Sequence, residues 1–95
     1  MSSVELHLPS LLADDAGGRT VHCVEAADVA TVADLLDAVG ANWPRLSRRL
    51  RDETGRLRPY VNVYVGPDDV RWDDGLRTAV RPGDVVFVLP SVAGG

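Results

Sequence analysis

The chain has 95 residues, 45% apolar and 25% charged, enough for one small domain that buries roughly 60 to 65% of its unfolded surface. A formal net charge of −4 argues against nucleic acid as a partner, because phosphate binding draws on an excess of Lys and Arg. The single cysteine, Cys23, excludes an internal disulfide and every multi-cysteine zinc pattern, and no apolar run nears the roughly 20 residues of a membrane span.

The start, MSSVELHLPS, has neither the basic region nor the apolar run of a signal peptide, so the expected location is the cytoplasm, with no membrane partner. Residues 4–8 then alternate strictly. Val4, Leu6 and Leu8 share one face and Glu5 and His7 the other, the period of a half-buried strand that ends at Pro9. Asp14, Asp15, Ala16, Gly17 and Gly18 form a turn, and residues 20–25 give a second strand with Val21 and Cys23 on one face. The two strands make a hairpin with a loose connection, and Cys23 is expected to be a small buried hydrophobe.

Thr31 and Asp34 have the spacing of a capping box, with aspartate in place of the usual glutamate. Val32, Leu35, Leu36 and Val39 follow at helical spacing. Gly40 and Pro44 end or bend this helix, Trp43 packs at the bend, and Leu46 and Leu50 suit a short second helical turn with its arginines facing water. Residues 60–65, YVNVYV, form a third strand with Val61, Val63 and Val65 on one face. Gly66 to Asp69 turns the chain, residues 70–72 form a short strand, and the RPGD turn at 81–84 precedes a last strand at 85–89. This order describes an α+β domain over residues 1–90: a sheet of four to five strands with one face on the main helix and the other open. With Val86 and Val88 facing the helix, Val85, Phe87 and Leu89 lie on the open face, a partner-docking surface just upstream of the C-terminus.

Other chemistry is weakly supported. His22 and Cys23 are adjacent on a strand, point to opposite faces and cannot chelate one ion together. No nucleophile is placed near His7, which reads as an ordinary surface residue. The aspartate pairs 14–15, 68–69 and 73–74 sit in turns, where Asp bonds the local backbone, so no metal site is expected. Residues 45–58 hold six arginines against Asp52 and Glu53, a net of +4. A solvated face explains them best, with electrostatic guidance of an acidic partner as the second reading. All ten basic residues are arginine, so no side-chain amine is available to attack an activated C-terminus of the same chain.

Beyond Pro90 lies SVAGG, residues 91–95, read as a flexible tail reaching roughly 15 Å from the sheet. Its glycines allow entry into a narrow channel and close backbone approach to a nucleotide. The terminal VAGG, the preceding FVLP, the RPGD turn and the YVNVYV strand resemble the small sulfur-carrier proteins of the ubiquitin-like, β-grasp superfamily, which serve molybdopterin, thiamine and cysteine synthesis. The string RPYVNVYVGPDDVRWDDGLRTAV followed by LPSVAGG looks most like the actinobacterial carriers that supply sulfur for cysteine.

The resemblance implies a mixed sheet and a carrier with no enzymatic activity or bound cofactor, monomeric on its own. It implies that a ubiquitin-activating-like adenylyltransferase, using ATP and magnesium, adenylates the Gly95 carboxylate, and that a sulfurtransferase or other donor converts it to a thiocarboxylate. A sulfur-accepting biosynthetic enzyme consumes that group. Gly95 is then the modified residue, and Val92, Ala93 and Gly94 are the tail residues the activating enzyme holds. Two alternatives stand beside this: a ubiquitin-like modifier that forms isopeptide conjugates, and a passive interaction module.

Overall fold

In the computed structural model, which describes residues 2–90, the alternation at the start of the chain becomes strand β1 (Ser3–His7), with Val4 and Leu6 fully buried. Strand β2 (Val21–Glu25) pairs with it antiparallel, Glu5 opposite Cys23 and Leu6 opposite His22. That register corrects the expectation for Cys23. Glu5 and Cys23 share the open face, where Cys23 is exposed, while His22 follows Leu6 inward and is 8% exposed. The burial of His22 is compensated: its Nε2–H donates to the Arg19 carbonyl at 2.9 Å, and its ring meets Trp43 edge-on at 6.4 Å.

The connection between these strands is more ordered than a loose turn. Pro9 precedes a four-residue helix, α1 (Ser10–Ala13), from which Leu12 and Ala13 enter the core, joined by Ala16 of the turn that follows. Gly17 then turns the chain with φ +69°, and a Cβ there would lie 2.7 Å from Cη2 of Trp43. Both the backbone angle and the close ring exclude a side chain at this position.

The main helix, α2 (Val32–Asn42), begins with the capping box read from the sequence. Thr31 Oγ1 accepts from the Asp34 N–H at 3.2 Å, and Asp34 Oδ2 accepts from the N–H groups of Thr31 at 3.1 Å and Ala30 at 2.9 Å. Val32, Leu35, Leu36 and Val39 are buried, each contributing about 1.5 to 3 kcal/mol relative to exposure. Pro44 occupies the first turn of α3 (Pro44–Leu50), where its missing N–H costs nothing. Leu46 and Leu50 are buried. The arginines beside them are less uniformly solvated than their sequence suggests: Arg49 pairs with Asp15 of the α1 turn at 2.9 Å, and Arg51 pairs with Asp37 of α2.

Strand β3 (Val61–Val65) follows, then a two-residue strand β4 (Asp68–Asp69) and strand β5 (Val85–Pro90). The short strand expected at residues 70–72 lies two residues earlier. Val70–Trp72 is instead a turn of 3₁₀ helix, because the Asp69 carboxylate accepts from the Arg71 N–H at 2.9 Å and caps it. The sheet order is β2-β1-β5-β3-β4. β1 and β5 are parallel and the other neighbours antiparallel, so the sheet is mixed. Val4, Leu6, Val61, Val63, Val86 and Val88 pack with the apolar stripe of α2 in one hydrophobic core.

The carboxylates that hold turns and caps make the fold sensitive to acid. Hydrogen bonding to the Ala30 N–H, and then to Thr31, lowers the Asp34 pKa below 3.8. Asp52 is lowered chiefly by the Thr54 hydroxyl, and Asp69 chiefly by the Arg71 guanidinium. Groups depressed on folding contribute fully above the unfolded value and lose that contribution as pH falls through the folded one. For these three, the melting temperature should therefore be level from neutral pH to about 5 and decline below 3.8. Thermal melts of wild type and Asp34→Asn check this. The substitution should shallow the acid limb, and an unchanged limb would rule out the Asp34 contribution.

Candidate functional site: the open sheet face and the end of β5

The face of the sheet away from α2 is built by the polar half of each alternation. Across its middle runs a row fixed by strand register: Val21 of β2, His7 of β1, Phe87 of β5, Tyr64 of β3 and Asp69 of β4. The His7 and Phe87 rings meet edge-on at 5.1 Å, and His7 Nε2 lies 2.8 Å from Glu5 Oε1. His7 is thus a surface residue of this face, as its alternation in β1 implied, with its ring packed on Phe87. The next row holds Cys23, Glu5 and Val85, and at the opposite end Leu89 sits across from Asn62.

Val86 and Val88 point into the core, and their neighbours Val85 and Phe87 are half-buried on the open face. Leu89 is 46% exposed and Tyr60, just before β3, 53% exposed. The exposure of the outward apolar side chains of β5 therefore increases toward the end from which the chain leaves the sheet. The four tail residues singled out by sequence, Val92, Ala93, Gly94 and Gly95, lie outside the described residues. Pro90, the last residue described, is paired with Val61.

The two ends of the sheet differ in charge. At the Pro90 end, the Val61 N–H donates to the Arg58 carbonyl at 3.0 Å, and Arg58 Nε donates to the Arg48 carbonyl at 2.7 Å. These bonds hold β3 against α3 and bring Arg45, Arg48, Arg49 and Arg58 with Tyr60 around one open depression, where Asp15 is the lone acidic residue. At the other end, around the start of β5, Asp68, Asp73, Asp74 and Asp84 line a second hollow with Arg81. Nearby, Asp69 grips Arg71 with Nη2 to Oδ2 at 2.8 Å, which holds the Asp69 carboxyl below its ordinary value and raises the Arg71 pKa. The Arg71 guanidinium lies 5.9 Å over Trp72, which is 83% exposed.

Among the described residues no three His, Cys, Asp or Glu side chains gather in a way that could hold a metal ion. No helix among them is long and apolar enough to cross a membrane. The surface offers a partly apolar open face and a charged rim.

A main helix packed across a mixed sheet whose first and last strands are parallel neighbours defines a β-grasp, ubiquitin-like protein. The chain belongs to the ThiS family, whose pattern matches residues 16–95. It is 37% identical to the sulfur carrier protein CysO of Mycobacterium tuberculosis over 95 residues, covering 98% of this chain and 99% of that protein. It is also 43% identical to small archaeal modifier protein 3 of Haloferax volcanii over 68 residues, covering 72% of this chain and 73% of the other. Among solved structures, that of the Amycolatopsis orientalis BexX/CysO complex superposes with a TM-score of 0.82 at 38% identity, covering 97% of this chain and 99% of the matched one.

Proposed function

We propose that this protein is a sulfur carrier, a cosubstrate of other enzymes with no catalysis of its own, whose chemistry takes place at Gly95. The observation that carries this reading is the family match, which runs through the end of β5 and includes the terminal Gly94 and Gly95. A free carboxylate is a poor electrophile. In this reading a ubiquitin-activating-like adenylyltransferase, using ATP and magnesium, joins the Gly95 carboxylate to AMP with release of pyrophosphate. Hydrosulfide, the form in which the sulfur donor delivers its sulfur in this reading, then attacks the acyl carbon, the bond to the AMP oxygen breaks, AMP leaves, and a thiocarboxylate remains. A biosynthetic enzyme accepts that sulfur for cysteine, molybdopterin or a sulfur-containing metabolite.

In this scheme residues 1–90 are the domain that partners recognise, and residues 91–95 the arm that enters their sites. Val92, Ala93 and Gly94 are held in the activating enzyme's channel, and Val85, Phe87 and Leu89 form the platform behind it. Intact-mass measurement of the protein isolated from its own cells under sulfur demand tests the reading. The expected result is a population heavier by the exchange of one oxygen for sulfur. Its absence with the cognate enzymes present would overturn the proposal.

The likeness to small archaeal modifier protein 3 favours a second reading, in which the same activated carboxylate forms isopeptide bonds with lysines of other proteins. All ten basic residues of this chain are arginine, so such conjugates would carry single copies rather than lysine-linked chains. Adducts on other proteins that retain the Gly95 linkage would distinguish this activity from sulfur transfer.

A further inference from the structure

We infer that the arginine depression beside Pro90 is an electrostatic docking surface for an acidic protein surface bordering the activating enzyme's tail channel. The inference rests on the carrier reading above and adds to it where the partner's charge should lie. The placement carries it. β5 delivers the chain out of the sheet at Pro90, whose strand partner is Val61, and the residues leading into Val61 are Arg58 and Tyr60, both of which line the depression. Pro90 therefore stands at the same end of the sheet as Arg58 and Tyr60.

The charge there runs against the molecule's net charge of −4. Four arginines face one aspartate, and that aspartate is shared: Asp15 lies 2.9 Å from Arg49 and 3.9 Å from Arg45. Arg45 retains 81% of its side-chain exposure, and Arg48 is exposed as well. The aspartates around the start of β5 occupy the opposite end of the same strands, roughly 15 Å away along a five-residue strand. A carrier so polarised approaches an acidic surface with its C-terminal end foremost. Charges on a contact rim act mainly on the rate of encounter and are weakened by salt, because the Debye length is about 8 Å at physiological ionic strength.

The test uses the full chain, ATP and the adenylyltransferase from the same organism, with thiocarboxylate formation followed by mass spectrometry. In Arg45→Glu with Arg48→Glu, kcat/KM for the carrier should fall about tenfold or more near 50 mM salt, with kcat at saturating carrier unchanged. The wild-type value should fall toward the variant's as salt rises to about 300 mM. Arg77→Glu with Arg81→Glu makes the same change in net charge at the other end of the sheet and should stay within about twofold of wild type. Circular dichroism confirms that both variants are folded. Equal loss in the two variants would overturn the local surface in favour of net charge, and a rise in KM for ATP rather than for the carrier would reassign the depression to nucleotide phosphate. A wild-type salt dependence retained by the Arg45/Arg48 variant would also overturn the docking surface while leaving the carrier reading intact. Failure of the wild-type chain to be activated at all would remove both.

Discussion

Removal of Gly95 should abolish activation while leaving the domain as stable as before. Shortening the chain by one residue moves the terminal carboxylate back by roughly 3.5 Å, and a misplacement of about 1 Å at a reacting atom can already cost about 100-fold in rate. Adenylation of the truncated chain should therefore fall by at least about 100-fold. Its melting temperature should be unchanged, because among the described residues the buried core cluster runs from Val4 to Val88. Gly94→Val should lose a comparable factor if the proposed activating enzyme holds the tail in a channel, since an added side chain would obstruct close passage of bare backbone. Pyrophosphate release by the adenylyltransferase, measured beside thermal melting, separates chemistry from folding. Undiminished release from the Gly95 deletion would place the reacting carboxylate elsewhere.

The second large effect is expected at the end of β5. Phe87→Ser with Leu89→Ser should weaken partner binding about 100-fold. Fully burying a Phe or Leu side chain contributes about 1.5 to 3 kcal/mol. Phe87 already gains part of this within the free protein, where it is half-buried against His7. The two together then supply on the order of 3 kcal/mol to the complex, and each 1.4 kcal/mol is tenfold in affinity. The substitutions should lower the melting temperature modestly, through the lost contact of Phe87 with His7. Titration calorimetry with the activating enzyme checks the binding, and an affinity within about twofold of wild type would remove these side chains from the contact.

How far the sequence led depends on the kind of interaction involved. The alternation of β1, the Thr31 and Asp34 cap and the YVNVYV strand were legible because each is local, with its physical cause within a few residues. The last strand was legible as a strand, but its run is apolar on both faces, so periodicity alone left open which set faces the helix; in the sheet Val86 and Val88 turn inward and Val85, Phe87 and Leu89 outward. Helix α1 was not legible, because the four residues Ser10–Ala13 are too few to establish a helical period.

The strand placed at Val70 to Trp72 failed because an apolar, polar, apolar triplet fits either state, and the Asp69 cap decided for the 3₁₀ turn. Cys23 was misplaced because β2 carries apolar residues on both sets of its alternation. Its register against β1 turned His22 inward instead. The row of His7, Phe87 and Tyr64 depends on strands distant in sequence becoming neighbours, and no pattern within one strand carries that information. The grouping of Arg45, Arg48 and Arg49 with Arg58 and Tyr60 has the same origin. Their adjacency in sequence was visible, but their position beside Pro90 required the pairing of β3 with β5.

The parallel pairing of the first and last strands bears on how the carrier withstands being handled. β5 is an inner strand, bonded to β1 on one side and β3 on the other, and the chain leaves it at its C-terminal end. A pull on residues 91–95 along the axis of β5 is a shearing load, carried by both ladders at once, whereas an edge strand would peel away one bond at a time. Such a load on the C-terminal end of β5 can thus be borne without unravelling the domain.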